Sequence, residues 1–226
     1  MEQKTVDFSM FDKLLMLPLF QGLSKDELTE MLEHTKWHFL KLKAGEVIAQ
    51  KEDRCKELIF VLNGTVASKR VYEAKHLEWF EFYEPMTVIE PISLFGIKTS
   101  YNSNYYTHTE ASILKISKDY IFGFFTQYPV FQLNYMNITC SRAQALKQRS
   151  LHVFENSNEH KVKAFFLAMS EREKGLKILL TNATKLSLIL KLTKNQVVGI
   201  LRDMQQQELI VIKKDRIIIP DIKKLK

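Results

Sequence analysis

Two cysteines in 226 residues, Cys55 and Cys140, exclude a disulfide-stapled scaffold, a four-thiolate iron–sulfur cluster and a four-cysteine zinc site. Seven scattered glycines leave no phosphate-cradling glycine-rich loop. No apolar run approaches the roughly 20 residues of a membrane-spanning helix, so no membrane partner is expected. The opening MEQKTVDFSMFDKLL carries acids and no small-residue cleavage site. It is therefore not read as a signal peptide, and a cytoplasmic, reducing compartment is expected. Nucleophile–base clusters and metal-ligand spacings are missing too. Among the six histidines only His34 and His38 stand four residues apart. They are expected to be solvent-exposed at the outer end of an amphipathic helix. Neither an enzyme nor a resident cofactor is predicted.

What is present is an ordinary globular composition, 46% hydrophobic and 26% charged, enough for one large domain or two small ones. The net charge of +7 is unevenly spread: residues 156–226 carry +8, and residues 1–155 carry −1. A basic segment on a neutral body points either to a polyanion-binding module or to a lysine-rich surface.

In the first half, Ser24 with Glu27 three residues later forms a capping-box pair ahead of Leu28, Met31 and Leu32 at helical spacing. After Lys43 the period shortens. Ala44–Ala49 reads as a turn into a strand. Leu58–Leu62, closed by Asn63-Gly64, is expected to pair as a hairpin with the strand Thr65–Val71. Leu77–Tyr83, Met86–Ile89 and His108–Ile116 supply further strands. Short strands joined by turns predict an antiparallel barrel or roll. Asp119–Phe125 reads as a short helix. Val130 to about Phe154, with no Gly or Pro, reads as a single helix of about seven turns. Met136, Cys140, Ala143, Ala145 and Leu146 suit a helix–helix seam on it, either a dimer interface or an internal core.

The last third carries the chemistry. After a helix at Glu159–Glu171 and the breaker Gly175 come a strand at Leu176–Leu180 and two helical runs, Ala183–Leu190 and Thr193–Gln207. Inward positions are Leu186, Ile189 and Leu190 on the first run, and Val197, Ile200, Leu201 and Met204 on the second. With Thr193 as N-cap, Lys194, Asn195, Gln196 and Val198 fall at the exposed start of a recognition helix, and Arg202 lies further along it. Leu209–Ile212 and Ile217–Ile219, joined through Lys213, Lys214, Asp215 and Arg216, form a basic-tipped hairpin. Helix, turn, helix and hairpin in this order predict a winged helix-turn-helix.

The chain resembles the bacterial regulators related to the cyclic AMP receptor protein and the fumarate–nitrate reduction regulator, the Crp/Fnr family. The residues that carry the resemblance run from Leu19-Phe20-Gln21-Gly22-Leu23-Ser24 and Gly45-Glu46-Val47-Ile48 through Leu58–Val66 to Pro91-Ile92-Ser93-Leu94-Phe95. Leu114-Lys115-Ile116-Ser117, Tyr128-Pro129 and Leu201 through Leu209-Ile210 complete them. The resemblance implies an α+β chain: a β-roll sensor, jelly-roll-like as in cyclic-nucleotide-binding domains (residues 1–128), a long dimerisation helix (129–155) and the winged helix-turn-helix (156–226). It further implies a homodimer on a two-fold operator in double-stranded DNA, with RNA polymerase as a partner if the regulator is an activator.

The departures from the family bear on its effector. The resemblance places the effector pocket at Glu90, Ile92, Ser93 and Leu94, with Leu146 on the long helix. The family's nucleotide site uses a Gly-Glu pair at a helix start and an arginine about ten residues on; here the pair is Glu90-Pro91, and no arginine lies between Arg70 and Arg142. Lys98 supplies a charge but no bidentate fork. Neither cyclic AMP nor cyclic GMP is therefore expected. With no N-terminal cysteine cluster, and with His76 the nearest axial candidate on a hairpin, an iron–sulfur cluster and haem are not expected either. Lys191 stands where the family has a turn glycine. Lys194, Asn195 and Gly199 stand where its recognition helix has Arg, Glu and a second Arg, so an operator unlike the family's half-sites is expected. A drifted helix-turn-helix acting on a protein partner is the competing reading.

Overall fold

The computed structural model describes residues 10–73, 76–151, 157–172 and 174–225. They form seven α-helices: α1 (Met10–Leu15), α2 (Lys25–His34), α3 (Lys118–Gly123), α4 (Pro129–Leu151), α5 (Asn158–Met169), α6 (Ala183–Leu190) and α7 (Lys194–Gln206). The strands are β1 (Trp37–Leu42), β2 (Val47–Ala49), β3 (Glu57–Asn63), β4 (Val66–Tyr72), β5 (Leu77–Tyr83), β6 (Thr87–Ile89), β7 (Asn104–Thr107), β8 (Ala111–Ser117), β9 (Lys177–Leu180), β10 (Val211–Ile212) and β11 (Arg216–Ile219). The expected α+β class is what the chain adopts.

The chain divides into two compact units: residues 1–66, 84–101 and 106–141, and residues 67–83, 102–105 and 142–226. The β4–β5 hairpin groups with the C-terminal residues in the second unit.

The first unit is built on the antiparallel order β1-β8-β3-β6. The Ser24 capping box forms as expected: Ser24 N–H and Oγ–H donate to Glu27 Oε2 at 2.8 and 2.9 Å, and Glu27 N–H returns to Ser24 Oγ at 3.2 Å. The apolar Leu17–Leu23 segment sits at the centre of the core. Phe20 has ring centroids 5.4 Å from Trp37, 5.5 Å from Phe60, 5.8 Å from Phe131 and 6.0 Å from Phe125. Asn134 Nδ2 donates to Gln21 O at 2.8 Å, which pins the start of α4 to this segment.

Three local expectations are corrected. The helix carrying His34 ends there, and His38 lies on β1, so the two are not a helical pair. The Asn63-Gly64 turn does not close a β3–β4 hairpin, since β3 pairs with β8 and β6. Gly64 instead presses against the turn after β7: at φ +75° it leaves no room for a Cβ beside Glu110 O. Thr65 N–H donates to Thr109 Oγ1 at 2.9 Å, and His108 N–H donates to Thr65 O at 2.8 Å, holding that redirection. Consequently His108 belongs to the turn between β7 and β8 rather than to a strand.

In the second unit the strand order is β10-β11-β9-β5-β4. Helices α6 and α7 form at the expected places, the first with its N-cap Asn182 oxygen accepting from Lys185 N–H. Val162, Phe166, Leu179, Leu186, Val197, Leu201, Met204, Ile217 and Ile219 form its core, together with Leu77 and Trp79 from the hairpin. Helix α4 runs to Leu151; the last residues of the expected helix, 152–154, lie outside the described residues.

Candidate nucleic-acid interface

Helix α7 begins at Thr193, an N-cap in a second capping box. Gln196 N–H donates to Thr193 Oγ1 at 3.3 Å, while Thr193 N–H and Oγ–H donate to Gln196 Oε1 at 2.9 and 3.0 Å. The helix buries Val197, Leu201 and Met204 and exposes Lys194, Asn195, Gly199 and Arg202, with Val198 half-buried. Two of the expected base-reading residues thus differ from that expectation: Gln196 folds back on its own helix start, and Val198 is partly covered. Lys194, Asn195 and Arg202 remain presented outward.

Before α7, α6 ends at Lys191, which takes the left-handed conformation (φ 54°, ψ 44°) while its N–H donates to Ser187 O. This is the conformation a turn glycine adopts freely and a lysine adopts at a cost of about 1–2 kcal/mol. The wing follows: β10 and β11 pair Val211 with Ile218 and Ile212 with Ile217. Lys213, Lys214, Asp215 and Arg216 are exposed at its tip. Arg216 Nε donates to Asp215 Oδ1 at 3.1 Å, and this neighbour holds the Asp215 carboxyl below the usual range. The wing tip therefore keeps Lys213 and Lys214 as its outward cations, with the Arg216 charge partly met within the turn.

On α4, Leu133, Met136, Cys140 and Ala143 are exposed along one stripe at steps of three and four residues. That spacing is the seam pattern of paired helices. Leu133 was missed in the sequence, and Leu146 is exposed on the same helix.

Of the residues expected around the effector pocket, Leu146 is exposed on α4, whereas Glu90, Ile92, Ser93 and Leu94 lie at a 3-10 turn, Pro91–Ser93. Its N-cap is Glu90, 1% exposed and in the left-handed region at φ 41°. Ser93 Oγ–H donates to Glu90 Oε1 at 2.6 Å, with Ser93 and Leu94 buried and Ile92 partly exposed. In place of backbone amides open to an anion, the turn start presents a buried carboxylate and a proline without N–H.

Cys55 is buried, and burial pushes its thiol above the ordinary value. His76 is an exposed residue of the β4–β5 turn. Among the described residues, no three His, Cys, Asp or Glu side chains gather as metal ligands, and no helix is long and apolar enough to cross a membrane.

Sequence reasoning missed Glu81. It is wholly buried on β5 and accepts from Arg70 Nη2 and Trp79 Nε1, both at 2.9 Å, from Glu171 N–H at 2.7 Å and from Arg172 N–H at 3.2 Å. Lys177 Nζ lies 3.3 Å from it and is equally buried. The alternation along Leu77–Tyr83, with odd positions inward, was the available signal.

Residues 39–128 match the family model of the cyclic nucleotide-binding domain. No curated protein matches the chain at a significant level. Among solved structures, the catabolite activator protein of Thermus thermophilus is similar at 16% identity, covering 92% of this chain and 96% of its own, with a TM-score of 0.54. A Eubacterium rectale chain assigned to the crp/fnr family of transcriptional regulators follows at 14% identity, 93% and 96% coverage and a TM-score of 0.52. The c-di-GMP responsive global regulator CLP of Xanthomonas campestris is similar at 12% identity, 87% and 99% coverage and a TM-score of 0.51. The chain thus contains a cyclic nucleotide-binding-type domain and carries the fold of the Crp/Fnr-family transcription regulators over most of its length.

Proposed function

We propose that this protein is a homodimeric, sequence-specific DNA-binding transcription regulator that works without a cyclic-nucleotide effector. The observation that carries the reading is the outward face of α7. Lys194, Asn195 and Arg202 are held there on a capped helix, next in sequence to a wing tipped by Lys213 and Lys214. Lysine and arginine serve phosphates or guanine, and asparagine pairs with adenine through two hydrogen bonds. The regulators of like fold support this reading and give no support to an enzyme. Two copies joined along the α4 stripe place two recognition helices on a two-fold operator, with RNA polymerase as a further partner if the output is activation.

The absence of a cyclic-nucleotide effector rests on Glu90. Its buried carboxylate and Pro91 stand where a phosphate needs amide donors, and no arginine follows before Arg142. Neither haem nor an iron–sulfur cluster is part of the reading. A second reading, a helix-turn-helix turned to a protein partner, is favoured only by the strained Lys191 and by the bare Gly199 on the exposed face of α7.

The test is binding to operator and to random duplex DNA across a salt series. We expect affinity for random duplex to fall steeply with salt, as phosphate neutralisation requires. Lys194→Ala and Asn195→Ala should each lose about 1–3 kcal/mol of operator discrimination. Unchanged footprints in both variants would sink the recognition-helix assignment; negligible binding at low salt would favour the protein-partner reading.

A further inference from the structure

Helix α7 buries Val197, Leu201 and Met204 against the core of its unit. At 3.6 residues per turn the opposite face is the line Asn195, Gly199, Arg202 and Gln206, and all four are exposed. The middle of that line has no side chain. A glycine inside a helix weakens it, so its use there calls for a cause. At other glycines the cause is local: Gly22, Gly45, Gly64, Gly96 and Gly175 hold positive φ, and Gly64 and Gly175 also have backbone pressed against them. Gly199 has neither. Among the described residues, a Cβ added at 199 would meet nothing within 4 Å. Packing within the unit therefore does not require a glycine at this position.

The recess left by Gly199 has defined walls. Asn195, Val198, Gly199 and Arg202 stand at i, i+3, i+4 and i+7, neighbours on the helix surface. Val198, half-buried, gives the recess an apolar side, and Asn195 and Arg202 close its two ends along the axis. On the far flank Gln196 is folded into the capping box with Thr193, and Asp203 is exposed. Of the base-edge groups in the major groove, the C5 methyl of thymine is the apolar one; the others donate or accept hydrogen bonds. A gap one side chain deep, with a valine at its edge, satisfies no donor or acceptor and suits that methyl. Asparagine pairs with adenine N6 and N7, so Asn195 matches an A·T pair beside it. Charge complementarity brings a duplex to this face: residues 156–226 carry +8, and Lys194 is exposed at the start of the helix.

We propose that Gly199 is a specificity-determining position: the gap it leaves on α7 receives the C5 methyl of one thymine in each half-site, against Val198 and beside an adenine read by Asn195. This rests on the DNA-binding reading above, and within it the missing side chain is a contact surface rather than a loss. The recess also sets how near α7 lies to the base edges, since a longer side chain at 199 holds the helix away.

The test removes the methyl and fills the recess. Duplexes enriched by the full-length protein from a library with a random core are remade with each thymine replaced in turn by deoxyuridine, which lacks only the methyl. Affinities for these and for a random duplex are read for the parent and for Gly199→Leu and Gly199→Gln. Both variants carry better helix formers than glycine, so their urea midpoints should not fall. In the parent, one thymine per half-site should cost about threefold to fourfold in affinity when its methyl is removed, the weight of one buried methyl. Both variants should bind the enriched duplex about tenfold or more weakly, lose that methyl's effect, and keep their random-duplex affinity within about twofold. The recess is overturned, with DNA binding left intact, if no thymine responds to loss of its methyl or if the response survives in both variants. It is equally overturned if the variants bind the enriched duplex as tightly as the parent, or lose the random duplex to the same extent. A parent that binds duplex but enriches no sequence removes sequence specificity and the recess together. A parent that binds no duplex at low salt removes the DNA reading itself.

Discussion

Single residues in this chain carry conformations their side chains do not favour. Lys191 closes α6 at φ 54°, and Glu90 opens the buried 3-10 turn at φ 41°. At Lys191 the strain is legible in the sequence, because a turn between two helical runs calls for a left-handed residue and the chain offers lysine. Gly175 is the reverse case, a glycine at φ 82° whose missing Cβ leaves room for Phe82 O. The two positions should respond with opposite sign. Lys191→Gly is expected to raise unfolding free energy by about 1 kcal/mol, and Gly175→Ala to lower it by at least that much, both read from urea midpoints. A Lys191→Gly protein no more stable than its parent would show that the left-handed turn is not populated.

At the scale of elements, capping and alternation explain most of what forms. α2 and α7 begin where Ser24 and Thr193 precede Glu27 and Gln196, and β5 alternates inward and outward through its length. The α2 cap has a pH signature. The Ser24 amide, and then its hydroxyl, hold the Glu27 carboxyl below the usual carboxylate value. A depressed folded-state value stabilises the chain above the unfolded value of about 4.3, and that contribution is lost as pH falls through the folded value. The stability gap between the parent and Glu27→Gln should therefore be present at pH 7 and close below about pH 4. A gap that persists unchanged at pH 3 would mean that the carboxylate charge plays no part in the cap. β1 leaves little mark in the sequence: Trp37–Leu42 is exposed or half-exposed at each position, so its period-2 signal is weak.

At the scale of the whole molecule, the open question is how copies meet. Leu133, Met136, Cys140 and Ala143 leave one apolar stripe of α4 exposed. If two α4 helices pack along it, Cys140 faces its counterpart, and a short bis-maleimide should give a covalent dimer that Cys140→Ser abolishes. Cys55, buried and with its thiol pushed up, should stay unmodified in the folded protein. A protein that is dimeric by sedimentation yet yields no cross-link through Cys140 would move the seam to another face.

The sequence by itself determined the order of elements, the winged helix-turn-helix and the uneven charge. These are local properties, set by period, caps and residue type within a few turns of chain. Only the tertiary structure decided that β3 pairs with β8 and β6 rather than with β4, that β5 joins β9, and that Glu81 is buried against Arg70 and Lys177. Alternation tells which face of a strand is buried but not which edge it will meet. Partners nearly a hundred residues apart leave no local mark, and their choice is settled by which pairing satisfies both the apolar core and every buried charge.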